Sequence, residues 1–200
     1  ALVQEIEAAI RELDIICQRA PTPERLSLLG SACKRLAWVH ADEGPRLEAL
    51  VNMANYYAEA MKRSREPDPY PFSNWAIARL CALALDPGQA GPWQAGLDED
   101  CRNMIAIARE RNAQRPNFWD GMAEADCELV RLLNHPDIPS DEAAQIAGRI
   151  ARLYRTVAAR GASPREYASV LEHLDFVIAL AGHAPGTPLG DALAVIRAAL

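Results

Sequence analysis

Apolar residues recur along the chain at intervals of three and four, the spacing of one face of an α-helix. The first such stretch, roughly 2–19, carries Ile6, Ile10, Leu13 and Cys17 on one face. No segment combines strict apolar–polar alternation with the turn residues of a β-hairpin. The pattern therefore predicts an all-α protein with a leader helix at its start.

Four prolines indicate where four later helices begin. Pro23, Pro71, Pro116 and Pro164 are separated by 48, 45 and 48 residues, a period of about 47. Proline is favoured in the first turn of a helix, because its missing N–H would have no partner there and its fixed φ suits the helix. Such even spacing predicts a repeat protein.

Alignment of the four segments on these prolines shows a common packing pattern. Position 8 is small in three of four segments, which hold Gly30, Ala78, Ala123 and Leu171. Position 11 is apolar in three, and Asp126 is the exception. A small residue lets a second helix approach, while apolar neighbours fill the seam. Each segment is thus predicted to be the first helix of a hairpin.

Second helices are predicted at 45–65, 97–113, 140–160 and 188–200. Pro45 and Pro188 lie in first turns, and Ser140 is the expected N-cap. Gly161 and Gly182 fit the glycine that commonly follows a helix end. The result resembles tetratricopeptide-like α-solenoids, whose usual period is shorter, about 34 residues. We expect about nine helices in one domain over 1–200, with a leader at 1–20 and antiparallel hairpins at 21–68, 69–114, 115–161 and 162–200.

Composition excludes several functions. The net charge is −6, and without a basic stripe we expect no nucleic-acid partner. No apolar stretch is long enough for a membrane span. The five cysteines, at 17, 33, 81, 101 and 127, form no CxxC pair, which predicts reduced core thiols of a cytoplasmic protein. Because the first residues already look helical, we expect an excised part of a longer protein.

Three short stretches resemble the TRAFs-binding domain of apoptosis-signal-regulating MAP-kinase-kinase-kinases and its bacterial relatives. They are residues 24–34, Tyr70-Pro71 with Asn74 and Ala76, and residues 117–120 with the helix that follows. The resemblance implies a tetratricopeptide-like fold. It also implies a regulatory segment attached to an effector domain, such as a caspase-like protease, in a bacterial signalling or defence protein.

No catalytic, metal or cofactor site is predicted. Cys33, Cys81 or Cys127 could supply a nucleophile, but nothing in the sequence places any of them beside His173, as a dyad requires. The four histidines show no zinc-ligand spacing, and no glycine-rich phosphate loop precedes a helix. Residues 135–137 (HPD) match the tripeptide of J-domain co-chaperones, but acidic residues precede them, which favours an ordinary turn.

A partner-binding groove is expected on the first helices, at positions 2, 5, 9 and 12 of each repeat. It should be mildly basic and aromatic in its first half and acidic in its second. Trp75, and Trp93 in a loop, are expected to contact a partner, whereas Trp119 should pack between hairpins. The predicted partner-binding residues are Ser31, Lys34, Trp75, Arg79, Asp120, Glu124 and Glu172.

These observations favour a protein-interaction or regulatory scaffold module that binds a protein or peptide segment, including a flanking effector domain of the same chain. A first alternative is self-association into a homo-oligomer through the alanine-rich last helix at 191–200. A second is a helical domain that binds a small ligand.

Overall fold

The computed structural model describes residues 1–181 and 186–200. Over these residues the chain forms nine α-helices, one short 3₁₀ turn at Pro87–Gln89 and no strand, which confirms the all-α prediction. The helices are α1 (Leu2–Arg19), α2 (Pro23–Val39), α3 (Glu43–Arg63), α4 (Pro69–Leu85), α5 (Trp93–Gln114), α6 (Phe118–Leu133), α7 (Ser140–Ala158), α8 (Pro164–Leu180) and α9 (Pro188–Ala198).

The helices belong to two compact units, Ala1–Ala90 and Gly91–Leu200. In the first unit, α1 packs on α2, α2 on α3, and α3 on α4. In the second unit, α5 packs on α6, α6 on α7, and α9 on both α7 and α8. The pairs α2/α3, α6/α7 and α8/α9 are therefore neighbours, as expected of helical hairpins.

Two of the four prolines that were predicted to begin helices do so. Pro23 and Pro164 are the first residues of α2 and α8. In each case the preceding side chain caps the helix, since the hydroxyl of Thr22 or Ser163 accepts a backbone N–H three residues on. Glu166 completes a capping box with Ser163.

The other two prolines do not begin helices, and that part of the prediction is wrong. The helix α4 begins two residues earlier, at Pro69, because Asp68 accepts the N–H of Tyr70 and caps it there. Pro116 lies ahead of α6, because Asn117 takes the N-cap position and accepts the N–H of Asp120 at 2.9 Å. Proline spacing located these helices correctly to within two residues.

Three details of the second helices also differ from expectation. The helix α5 begins at Trp93 rather than at 97, since the Gln94 side chain accepts the N–H of Gly91 at 3.3 Å. Trp93 therefore lies in a helix, not in a loop. Ser140 is the first residue of α7 but makes no capping hydrogen bond. Gly161 follows α7 with a φ of +114°, as predicted, while Gly182 lies outside the described residues.

The leader helix covers the first hairpin. Ile10, Leu13 and Cys17 of α1 pack in one cluster with Leu26 and Leu29 of α2. Full burial of a leucine side chain is worth about 1.5–3 kcal/mol. The apolar face that the sequence shows over 2–19 thus stabilises the first unit by covering α2.

The small residue at position 8 of the first repeat allows α2 and α3 to touch. A Cβ atom on Gly30 would lie 2.6–2.9 Å from three ring carbons of Tyr57, whose side chain is fully buried. In the third repeat the corresponding close approach occurs at Gly121, where a Cβ would lie 2.9 Å from a methyl of Val157. Close approach of the two helices of a hairpin is thus confirmed at position 8 in the first repeat. In the third repeat it occurs at position 6 instead.

The polar exception at position 11 has a partner in the second helix of its hairpin. The hydroxyl of Tyr154 on α7 donates to the Asp126 carboxylate at 2.6 Å. Tyr154 is fully buried, and burial together with this carboxylate raises its pKa well above the usual value. Asp126 thus satisfies a buried hydroxyl that an apolar residue would leave unpaired.

The last helix buries much of the surface that was expected to support self-association. Leu189, Ala192, Leu193 and Ile196 are buried, and α9 packs on α7 and α8. Val195 remains half exposed. Only the outward face of α9 is therefore open to another copy.

We expect Gly30→Ala to lower the free energy of unfolding by about 1–2 kcal/mol, because overpacking against Tyr57 exceeds the gain in helix propensity. Urea denaturation followed by circular dichroism measures it. Gly44→Ala is the matched control: it lies in α3, where an added Cβ would have no atom within 4 Å, and should be neutral or slightly stabilising. Equal effects at both positions would contradict the close approach of α2 and α3.

Candidate interaction surface

An open depression in the first unit lies between α2 and the beginning of α4. Its volume is about 350 Å³, and we call it the α2–α4 groove. Three of its lining residues, Glu24, Ser27 and Ser31, are the predicted positions 2, 5 and 9 of the first repeat. The groove is lined by Pro23, Glu24, Ser27, Leu28, Ser31, Asp68 and Tyr70.

Two large side chains in the groove are exposed. Leu28 is 55% exposed and Tyr70 is 40% exposed. Apolar surface left in water at such a position gains free energy when a partner covers it. Sequence reasoning missed both residues. The available signal was the pair Leu28-Leu29, because neighbouring helix residues point about 100° apart and only Leu29 can reach the core.

A row of hydroxyl groups connects the groove to the core. The Ser31 hydroxyl lies 2.9 Å from the hydroxyl of Tyr57 and 3.4 Å from that of Tyr70. The rings of Tyr57 and Tyr70 meet edge to face, with centroids 6.1 Å apart. Burial, followed by the neighbouring Tyr70, raises the pKa of Tyr57 well above its usual value. A fixed buried ring therefore orients Ser31 and Tyr70 at the surface.

The rim of the groove is acidic rather than basic. Hydrogen bonds from its own backbone N–H and from Thr22 lower the pKa of Glu24, which stays ionised at neutral pH. Asp68 lies on the opposite side, at the N-cap of α4. The two basic residues expected in this half, Lys34 and Arg79, do not line the groove. The basic character predicted for this half is thus absent at the rim of the α2–α4 groove.

The other predicted residues of the first unit lie along α2 and α4 away from the groove. Trp75 is half-buried and packs on Phe72, with ring centroids 6.0 Å apart. Phe72 was itself a predicted groove position, but it is buried in the core. Arg79 is half-buried, and its Nη2 donates to the carbonyl of Gln89 at 3.4 Å.

In the second unit, one of the three predicted acidic residues is paired with an arginine. Glu124 accepts two hydrogen bonds from Arg109 on α5, at 2.5 and 3.0 Å. Asp120 accepts a side-chain hydrogen bond from Asn117. Glu172 is exposed on α8. The structure brings Asp120 and Glu124 together between α5 and α7.

The expectation that Trp119 packs between hairpins is wrong. Its side chain is 46% exposed and rests edge to face on Phe118, with centroids 5.0 Å apart. The close contact between α6 and α7 is made instead by Gly121 and Val157. Trp119 is two residues before Gly121, so its side chain points about 200° away from that contact around α6.

The cysteines are buried thiols without the features of a nucleophile. All five are buried and free, as the prediction of core thiols requires. Burial raises the pKa of Cys33 and of Cys81 to about 12. In Cys127, the hydrogen bond that its thiol shares with Cys101, and then burial, raise the pKa well above normal. Catalytic thiols need the opposite shift, because the thiolate is the reactive form.

The histidine of the HPD tripeptide has a structural role in the turn after α6. Its Nε2 lies 2.9 Å from a carboxylate oxygen of Asp98 on α5. Burial alone would raise the pKa of Asp98, but hydrogen bonds from His135 and Asn134 lower it. Pro136 and Asp137 form a turn, which agrees with the interpretation of this tripeptide as a helix stop.

Within residues 1–181 and 186–200, no cluster of three histidine, cysteine or carboxylate side chains could hold a metal ion. The same ranges contain no helix whose length and apolar content would let it cross a bilayer.

Sequential helix pairs, small residues at their contacts and an open groove on the first helices define a tetratricopeptide-like helical-repeat protein. The family model described as Tetratricopeptide Repeats-Sensor (TPR-S) matches residues 2–83. The matched part begins with α1 and ends two residues before the end of α4, so it includes the α2–α4 groove. No curated protein and no solved structure matches the chain.

The pKa values of the thiols predict slow alkylation in the folded state. We expect iodoacetamide at pH 8.5 to modify Cys33 and Cys81 about 100- to 1000-fold more slowly in the native chain than in guanidinium, because each pKa unit above the pH removes a factor of ten in thiolate. Peptide mass spectrometry over time measures the rates, with free N-acetylcysteine in each tube as the control. Native rates equal to the denatured ones would refute the burial described.

Proposed function

We propose that this chain is a protein-interaction module of a larger signalling or defence protein, and that the α2–α4 groove holds an apolar side chain of a partner segment. The observation that carries the proposal is the exposure of Leu28 and Tyr70 on opposite walls of an open depression. Tetratricopeptide-like repeats generally act in protein–protein interaction or scaffolding, and repeats of this type are generally not catalytic.

The groove indicates what kind of segment would fit. Leu28 and Tyr70 would bury an apolar anchor, and Ser27 and Ser31 offer hydroxyls to a peptide backbone. Glu24 and Asp68 on the rim favour a lysine or arginine beside that anchor. A partner segment with one large apolar residue next to a basic residue therefore complements this surface.

The wider assignment rests on resemblance. The likeness to the TRAFs-binding domain supports a regulatory role beside an effector domain in a bacterial, cytoplasmic protein. In this proposal the four hairpins form one repeat domain, and the partner segment continues past Lys34, Trp75 and Arg79.

Selection from a random peptide library tests the groove and does not require an identified partner. Phage-displayed peptides would be selected on the intact chain, and their affinities measured by fluorescence polarisation. We expect enriched peptides to carry a large apolar residue next to lysine or arginine. Leu28→Glu combined with Tyr70→Ala should weaken their binding by at least about tenfold, since the apolar anchor loses its contacts.

The control variant is Val195→Glu, which changes an equally exposed apolar residue on α9. It should leave peptide affinity unchanged, and circular dichroism should show native helicity in all variants. Lys34→Glu separately tests the proposed continuation of the segment along α2. Selected peptides that bind the double variant as tightly as the native chain would exclude the α2–α4 groove.

Self-association is a second candidate, and exposed residues on α1 favour it. Leu2, Ile15 and Ile16 are each about half exposed. If these side chains join two copies, light scattering should show a mass that rises with concentration, and Ile15→Glu with Ile16→Glu should restore the monomer. A constant monomer mass in the native chain would remove this candidate.

A further inference from the structure

A second groove lies within the second unit, with α5 and α7 as its walls and α6 as its floor. Its volume is about 210 Å³, and four arginines line it. We call it the arginine groove. An adjoining depression of about 170 Å³ shares Arg160 and Asn112 with it. The four arginines are Arg109 on α5, Arg149 and Arg152 on α7, and Arg160 just beyond the end of α7.

Three of these arginines follow one face of α7. Arg149, Arg152, Thr156 and Arg160 are three or four residues apart, so they form a row along the wall. At a rise of about 1.5 Å per residue, Arg152 lies about 9 Å before the end of α7 at Ala158. Arg160 follows two residues later, so the two arginines are roughly 12 Å apart. The groove therefore presents an elongated row of guanidinium groups rather than one compact cluster.

Nearby carboxylates form hydrogen-bonded ion pairs with only two of these four arginines. Arg109 is paired with Glu124 through two hydrogen bonds. Arg149 donates to Glu128 at 2.9 Å, and Glu128 also accepts from Arg131 at 3.1 Å. These pairs hold the two side chains in place at the groove.

The remaining two arginines are available to a ligand. Arg152 and Arg160 are exposed, and neither guanidinium group makes a hydrogen bond or ion pair with any residue in the described ranges. Four arginines line the groove against two carboxylates, Asp120 and Glu124, which leaves a surplus of two positive charges. The whole chain has a net charge of −6, so this basic surface is a local feature.

We propose that the arginine groove binds an extended acidic segment of a protein partner, with two carboxylates paired to Arg152 and Arg160. Guanidinium groups bind carboxylates through paired hydrogen bonds. In an extended strand, side chains four residues apart point to the same side and are about 13 Å apart, close to the spacing of the two arginines. Aspartate or glutamate at positions i and i+4 would therefore meet both arginines.

The arrangement favours an acidic segment over a small, highly charged anion. A phosphate group is held where several donors converge within one hydrogen-bond length of it. Here the free guanidiniums are spread along α7, and Asp120 and Glu124 on the floor would repel a concentrated negative charge. Single carboxylates spaced along a peptide avoid both difficulties.

The inference extends the proposed interaction function to a second surface, but it does not require the α2–α4 groove to bind anything. The probe is a fluorescein-labelled peptide with glutamates at i and i+4 in a Gly/Ser sequence, measured by fluorescence polarisation with the full chain at low salt. The matched peptide has glutamine at both positions. We expect binding of the glutamate peptide only, with affinity falling as salt rises.

Variants of the chain assign that binding to the groove. Arg152→Glu with Arg160→Glu should weaken it at least about fivefold, whereas Arg152→Lys with Arg160→Lys should weaken it less, because lysine keeps the charge but not the paired geometry. Arg11→Glu with Arg35→Glu, at exposed arginines of α1 and α2 in the first unit, makes the same change in net charge as the double reversal and should have a much smaller effect. Circular dichroism verifies that each variant is folded.

Three results would overturn the proposal. The glutamine peptide could bind as well as the glutamate peptide, the charge-reversed double variant could bind normally, or millimolar inorganic phosphate could displace the peptide at constant ionic strength. The last result would indicate a small-anion site. Failure of the proposed function is distinguishable, because Leu28→Glu with Tyr70→Ala should leave binding of the acidic peptide unchanged.

Discussion

The contact between Gly30 and Tyr57 is the constraint on which the first unit depends. A buried aromatic ring of α3 occupies the space that any side chain at position 30 would need. That ring carries the hydroxyl that positions Ser31, and Ser31 in turn lies next to Tyr70 at the surface. Helix approach and groove shape are therefore consequences of the same packing contact, since a larger residue at position 30 would displace both.

In the second unit, different residues allow two helices to approach closely and satisfy a buried tyrosine hydroxyl. Gly121 admits Val157, and the buried hydroxyl of Tyr154 is satisfied by Asp126. In both hairpins a glycine of the first helix sets the distance, and a buried tyrosine of the second helix donates or shares a hydrogen bond with a polar residue of the first. These residues occupy different repeat positions in the two hairpins. The same type of contact therefore recurs without a strict sequence motif.

Helix order and approximate bounds could be predicted because they depend on local chemistry: apolar periodicity, proline in first turns and glycine after helix ends. The errors came from competing local signals, as at Asn117, whose side chain caps α6 one residue after Pro116. Of the groove, Glu24, Ser27 and Ser31 followed from helix geometry alone. Tyr70 did not, because its place beside Ser31 depends on how α3 packs between α2 and α4. The pairing of Arg109 with Glu124 depends likewise on the packing of α5 on α6.

The two grooves present different chemistry to a partner. The α2–α4 groove combines exposed apolar side chains with an acidic rim, so burial of an anchor would supply affinity and charge would supply selectivity. Four guanidinium groups line the arginine groove, so its selectivity would depend on paired guanidinium–carboxylate geometry, and its affinity on ionic strength. The family match ends within α4 and does not extend to the arginine groove. A segment suited to one groove would carry the wrong charge for the other, so each surface would discriminate against the ligand proposed for the other.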